Sequence, residues 1–351
     1  MRKLRAGILA ATGTVGQRMI QLLADHPWFD ITAVAASDKS VGKSYGQATR
    51  WLLESPIPDS VAAMTVKPCK PGLECDFVLS GLPSEIADQT ELDLAESGMP
   101  VISNASSHRM KPDVPLLIPE INPDHLDAVA HQKSRTGGKG FIVTNPNCTT
   151  IGLVFPMAAL HRAFGVEAVH VVTMQALSGA GYPGESALDI LDNILPAIAN
   201  GGEDNKVETE PLKILGQWTN NAFVDAPIRM SAQTHRVNVR DGHLEAASVK
   251  LRTKASSEDV AAAVRNFRSP IDELQLPSAP RPAIYVEENI QRPQPRLDRD
   301  RGNGMAVVVG PIQACGVLDY KFRVCSHNTI RGAAGAAILN AELLYKRGMI
   351  G

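Results

Sequence analysis

The apolar positions of the chain follow two rhythms that change over near residue 148. In the first stretch, short apolar runs at Arg5–Ala10, Ile31–Ala36, Phe77–Ser80, Val101–Ile102 and Phe141–Thr144 predict strands. Between the first two, Val15, Met19, Leu22 and Leu23 stand at i, i+4, i+7 and i+8, the spacing of one helix face. Another helix is predicted from near Ser84 to Gly98. Strands that alternate with helices imply a parallel, doubly wound sheet. After residue 148 long strand-like runs dominate, among them Ala168–Met174, His243–Leu251 and Ala306–Ile312. One helix, capped by Ser256 or Ser257, reaches about Phe267. That pattern implies an antiparallel or mixed sheet on its own domain. His131–Gly140 and Arg292–Gly304 read as loops, and Ile330–Lys346 as a final amphipathic helix.

Composition narrows the class without choosing a function. With 44% hydrophobic and 21% charged residues, the 351-residue chain is that of an ordinary soluble globular protein of about two domains. Lys and Arg number 35 against 37 Asp and Glu, a net charge of -2, so nothing marks it for nucleic acid or an acidic membrane. An anionic ligand must be met by locally placed cations. No apolar run reaches the ~18 residues of a membrane span. The start MRKLRAGILAATG reads as a strand rather than a signal peptide, which favours a cytoplasmic location. The five cysteines, at 69, 75, 148, 315 and 325, are odd in number and scattered, so no disulfide framework is expected. Cys69 and Cys75 have no second Cys/His pair nearby, so no metal site is expected.

The run Gly7-Ile8-Leu9-Ala10-Ala11-Thr12-Gly13-Thr14-Val15-Gly16 follows a strand and opens a helix. Glycines there let the backbone turn sharply and approach a pyrophosphate, whose charge meets the N–H groups of the helix start. The first glycine of the usual G-x-G-x-x-G is displaced, with Ala10 standing in its place. Gly13, Thr14, Val15 and Gly16 are the expected dinucleotide contacts, on a Rossmann-type α/β sheet over residues 1–147. The second strand ends Ala36-Ser37-Asp38-Lys39-Ser40, with Lys43 close behind. Ser37, Ser40 and Lys43 suit a 2′-phosphate and favour NADP, whereas Asp38, one residue on, would be the acid of an NAD site.

Asn145-Pro146-Asn147-Cys148-Thr149-Thr150 lies where a strand gives way to an apolar helix, with Pro156 expected to kink or shorten it. A cysteine at a helix start feels unpaired N–H groups and the positive dipole end, so its pKa is expected to fall and the same N–H groups to hold an oxyanion. A proton partner is needed. His235 and His243 both flank T-H-R-V-N-V-R-D-G-H-L-E-A, whose Asp241-Gly242 is a hairpin-type turn signal, and periodicity does not choose between them.

Seven segments together resemble one family. They are G-I-L-A-A-T-G-T-V-G, S-N-A-S-S-H-R, P-N-C-T-T-I, Q-A-L-S-G-A-G-Y-P-G, E-P-L-K-I-L, H-R-V-N-V-R-D-G-H and H-N-T-I-R-G-A-A-G. The chain is similar from end to end to aspartate-β-semialdehyde dehydrogenases of the archaeal and fungal type. The resemblance implies Cys148 as nucleophile, His243 as general acid/base and Gln175 as a residue orienting the acyl-enzyme. It implies Arg236 on the substrate α-carboxylate and Glu210 on the amino group, with Arg109 and Lys213 on phosphate and Asn147 among the substrate contacts. Ser178, Gly179 and Asn328 would hold the nicotinamide end of NADP, and Ser80 and Gly81 would end a strand facing the cofactor.

The implied domains are an NADP-binding domain (1–147), an α+β catalytic and dimerisation domain with a mixed, largely antiparallel sheet (148–328), and a C-terminal helix returning to the first (329–351). The implied activity is NADPH-dependent reductive dephosphorylation of L-aspartyl 4-phosphate, in a homodimer or homotetramer. Malonyl-CoA or N-acetylglutamyl-phosphate reductase on the same scaffold, and a catalytically silent NADP-binding regulator, are the rival readings.

Overall fold

A computed structural model describes residues 2–135, 137–138 and 140–351. Its first sheet comprises β1 (Leu4–Leu9), β2 (Phe29–Ala36), β3 (Lys67–Pro68), β4 (Phe77–Ser80), β5 (Pro100–Ser103) and β6 (Phe141–Thr144). The spatial order is β3-β2-β1-β4-β5-β6 and every neighbouring pair is parallel. This is the doubly wound dinucleotide-binding order. Both faces are covered, so β4 and β6 are buried at every position and read as continuous apolar runs. The register aligns Leu9 with Ser80, Ser80 with Ser103 and Ser103 with Thr144. The apolar strands thus turn polar together at one carboxyl edge.

The second sheet draws on β7 (Val166–Gln175), β8 (Leu195–Pro196), β11 (Arg229–Arg236), β12 (His243–Leu251), β13 (Ile284–Val286), β14 (Val307–Val309), β15 (Gln313–Ala314) and β16 (Tyr320–Ser326). A separate hairpin, β9 (Gln217–Thr219) and β10 (Ala222–Val224), turns through Asn220 and Asn221. Both have positive φ, as its turn demands. The main order is β13-β14-β16-β12-β7-β11-β8, with β15 on β16. Only β7–β11 and β13–β14 are parallel, so the sheet is mixed and largely antiparallel. On its inner face lies the Cys148–Phe164 helix, buried from Thr149 to Leu160. Ile151, Val154 and Phe155 share a core with Val171, Val249 and Phe322 of the sheet and with Leu116 and Ile118 on the helix's other side. The closing Gly335–Lys346 helix packs Ile338, Leu339 and Leu343 into the core of the first sheet, beside Ile8 and Met19.

Five local expectations need correction. Residues 131–135 are helical, as the end of Ala128–Arg135, not loop. Buried Gln132 hides the helical pattern: its amide donates to the Ile142 carbonyl (3.1 Å) and accepts from the Ile142 N–H (2.6 Å), gluing the helix to β6. Thr136 and Lys139 of the same expected loop lie outside the described residues. The strand expected over Ala306–Ile312 shrinks to β14, because Gly310 meets the Arg292 carbonyl closely and Pro311 cannot donate to a ladder. Arg292–Gly304 carries a short helix at Pro295–Asp298. The final helix begins with a π turn, Ile330–Ala334, before its regular part. Pro156 does not shorten its helix, which runs its full 17 residues.

Candidate active site

The carboxyl edge of the first sheet and the inner end of the second meet at Cys148. Asn147 caps the helix: its side-chain oxygen accepts from the N–H groups of Thr149 (2.9 Å) and Thr150 (3.3 Å). Its backbone N–H donates to Glu210 (2.6 Å) and its amide to Glu203 (2.7 Å). The N–H groups expected to hold an oxyanion are therefore largely engaged by the cap itself. The expected fall in the Cys148 pKa is also overturned. Cys148 is half-buried, and the packing around its sulfur pushes the thiol up to about 12. Burial is the first cause and the Glu203 charge the next, against Arg236, Arg109 and Lys206.

His243 opens β12, fully buried, with Nε2 3.1 Å from the Cys148 sulfur. Its Nδ1 accepts the Ala176 N–H (3.0 Å). A backbone N–H can only donate, so the neutral ring carries its proton on Nε2, aimed at the sulfur. Burial lowers the His243 pKa to about 3, helped by Arg236 and His327, so the ring is neutral. The chain from β11 to β12 is not a hairpin, since the two strands flank β7. Alternation along β11 turns Arg236 inward, leaves His235 half-buried beside it, and gives the sulfur to His243.

Around this pair the charged groups are tightly held. Arg236 donates from NH1 to the Ala176 carbonyl (2.9 Å) and from Nε to Glu185 (3.3 Å). Gly179 faces it so closely that a Cβ there would stand 2.9 Å from the Arg236 NH1 and 3.2 Å from the His243 Cε1. Gln175 is buried beside them, its Nε2 without a partner among the described residues. Arg109 donates to Glu210 (2.9 Å) and to the Asn104 carbonyl (2.6 Å). Lys213 stands apart. All three of its protons go to backbone carbonyls, those of Arg109 (2.7 Å), Lys111 (2.8 Å) and Val114 (2.8 Å). It anchors the Arg109 segment and has no proton left for a phosphate.

Two of the residues expected at a dinucleotide lie along a cleft of about 490 Å³. Thr14 and Ser178 line it, with Arg18, Tyr182, Arg240 and His327, which the sequence reading did not single out. Asn328 bridges the cleft's inner wall, donating to Ser178 (2.8 Å) and accepting from the Gly242 N–H (2.8 Å). The Thr14–Leu23 helix starts at Gly13 with no side-chain cap, so its first N–H groups lack one. A Cβ on Gly16 would stand 2.4 Å from the Ala10 carbonyl, and Gly81 packs against Val15. That bare helix start and its close backbone approach fit a dinucleotide pyrophosphate. Ser37, Ser40 and Lys43 share one turn after β2, Ser37 and Lys43 exposed and Ser40 buried. Ser80 turns its hydroxyl away, donating to buried Glu91 (2.6 Å), whose pKa burial pushes up to about 7.

This fold and this pair define a two-sheet dehydrogenase class, and two family models describe it. The semialdehyde dehydrogenase NAD binding domain matches residues 5–129 and the semialdehyde dehydrogenase dimerisation domain matches residues 157–331. An aspartate-semialdehyde dehydrogenase of Archaeoglobus fulgidus is 50% identical over 98% of both chains. Its counterpart in Schizosaccharomyces pombe is 46% identical over 99% of both. The crystal structure of aspartate semialdehyde dehydrogenase with NADP from Candida albicans superposes with a TM-score of 0.91 at 43% identity, covering 99% of this chain and 100% of that one. The chain belongs to the aspartate-semialdehyde dehydrogenase family.

Proposed function

We propose that the protein catalyses the reversible, NADP-dependent reductive dephosphorylation of L-aspartyl 4-phosphate to L-aspartate 4-semialdehyde. The observation that carries this reading is the 3.1 Å contact between the Cys148 sulfur and the His243 Nε2, in a chain so close to enzymes of that name. Cys148, as thiolate, attacks the acyl phosphate carbonyl; the carbonyl–oxygen bond to phosphate breaks and a thioester remains. Arg109 receives the departing phosphate and Arg236 forks onto the α-carboxylate. Gln175 lies beside the acyl group. NADP, when bound in reduced form, supplies the hydride. Collapse of the resulting thiohemiacetal oxyanion breaks the carbon–sulfur bond and returns the thiolate.

As the sulfur attacks it gives up its thiol proton, and the phosphate leaves protonated, as HPO4²⁻; the collapse that releases the aldehyde leaves a thiolate that takes a proton back. His243, with Nε2 3.1 Å from the sulfur, relays these protons as general acid/base and its Nε2 hydrogen steadies the tetrahedral oxyanion. Glu210 and Lys213 hold Asn147 and the Arg109 segment. Thr14 to Gly16, Ser178, Gly179 and Asn328 frame the pyrophosphate-to-nicotinamide path, and Ser37, Ser40 and Lys43 the 2′-phosphate end. Residues 1–147 form the cofactor domain and 148–328 the catalytic one.

Tyr182, Leu188, Leu191 and Ile194 are exposed apolar residues within the segment matched as dimerisation domain, which supports self-association as a homodimer or homotetramer. All five cysteines are free and, among the described residues, no helix is long and apolar enough to cross a membrane; we place the protein in the cytoplasm.

The test is reduction of NADP by aspartate semialdehyde with and without inorganic phosphate. Phosphate-dependent reduction is expected. Faster NADPH oxidation by malonyl-CoA or N-acetylglutamyl phosphate than by aspartyl phosphate would move the reading to that reductase, and no turnover on any would leave a binding protein.

A further inference from the structure

The π turn that opens the final helix lies against the nucleophile. Across Ile330–Ala334 the Gly332 N–H donates to the His327 carbonyl (3.0 Å) and the Ala334 N–H to the Thr329 carbonyl (3.1 Å), each five residues back. Such turns are rare and concentrate at functional sites. Gly332 is pressed onto Cys148: a Cβ there would stand 2.6 Å from the Cys148 Cβ and 2.9 Å from its Cα. The neighbouring Ala333 carbonyl accepts from the amide of Asn145 (3.0 Å), on the approach to the sulfur. Where the turn begins, Thr329 and Ile330 line the cofactor cleft, directly after Asn328. Arg331 anchors it. Fully buried, it forks onto Glu120, Nη1 to one oxygen (2.6 Å) and Nη2 to the other (2.8 Å). Its guanidinium lies 4.5 Å from the centroid of Phe155, which stands at i+7 from Cys148 on the nucleophile helix. A buried ion pair adds little net stability, because desolvation offsets its attraction. A bidentate fork does fix one geometry.

We propose that this π turn sets the distance between the Cys148 sulfur and the nicotinamide end of the cofactor, with Gly332 as the contact and the Arg331–Glu120 pair as its anchor. All three are positioning residues: they act on hydride transfer through Cys148 and add no chemical step. A misplacement of about 1 Å at the reacting atoms costs on the order of a hundredfold in rate. This rests on the aspartate-semialdehyde reading.

The experiment is a single turnover with enzyme in excess over aspartate semialdehyde, at saturating NADP and without phosphate, so that NADPH formation stops at the thioester. The rate is read with hydrogen and with deuterium on the aldehyde carbon, and the isotope slowing identifies hydride transfer as the step observed. NADP affinity and the rate at which iodoacetamide alkylates Cys148 are measured on the same samples. Gly332→Ala forces the turn off the nucleophile and lowers the hydride-transfer rate about 10- to 100-fold, with NADP affinity and alkylation nearly unchanged. Arg331→Lys keeps the charge but loses the fork, and lowers the rate less. An unchanged hydride-transfer rate in either folded variant overturns the proposal. So does a fall without isotope slowing, or one matched by an equal loss of NADP affinity or of alkylation, since the turn then supports the fold alone. Failure of both variants to fold says the same. No NADPH from the wild type even with phosphate present would instead remove the functional reading and this inference with it.

Discussion

The two helix starts at the carboxyl edge of the first sheet look alike in sequence and behave oppositely in the fold. Each follows a buried parallel strand, and each reads as an electropositive site for an anion. At the Thr14–Leu23 helix the N-cap is Gly13, which brings no side chain to the first N–H groups. At the Cys148–Phe164 helix Asn147 satisfies two of them and is itself bonded to two carboxylates. One start keeps its positive end for a ligand. The other uses it to hold a thiol in place, and burial then keeps that thiol protonated at rest. A helix dipole matters only where its donors remain free.

The largest expected effect falls on the uncapped start. Gly16→Ala places a methyl 2.4 Å from the Ala10 carbonyl and 2.7 Å from the Ala11 Cα, both backbone atoms. The helix must move off the turn, at about 1–3 kcal/mol of stability, and NADP affinity is expected to fall steeply. Isothermal titration with NADP checks this, and unchanged affinity would mean that the bare N–H groups are not its site. At the capped start, a thiol held up to about 12 loses its proton only as pH rises. Alkylation of Cys148 by iodoacetamide, followed by peptide mass spectrometry, should accelerate roughly tenfold per pH unit through the neutral and mildly alkaline range. A rate already level below neutral pH would show that the helix start ionises the thiol after all. The smallest effect concerns Ala10, which sits at φ +54 in the left-handed region. Ala10→Gly relieves about 1–2 kcal/mol of strain against about 0.5–1 kcal/mol of added chain entropy. A slight rise in denaturation midpoint follows, and a fall would contradict the strain.

How far each feature could be read from the sequence depends on the same distinction. β4, β6 and β12 fall where their apolar patterning puts them, because burial on one or both faces writes itself into residue type. The glycine turn and the cysteine at a strand-to-helix junction are equally local. Choosing His243 over His235 needed the placement of β7 between β11 and β12, which no short window contains. The engagement of Lys213 by three carbonyls, the capping by Asn147 and the hold of Glu203 on the Asn147 amide are competitions among hydrogen-bond partners. Sequence names the donors and acceptors but not which of them meet. Gln132 shows the reverse case, a polar residue acting as core anchor and so masking a helix.

The central claim is that the carbonyl under reduction is carried on the Cys148 sulfur. Its most direct measurement is phosphate-dependent NADPH formation from aspartate semialdehyde by Cys148→Ser, with NADP binding measured on the same sample. The account predicts turnover lower by about a thousandfold or more and NADP affinity preserved. Turnover near that of the wild type would contradict it.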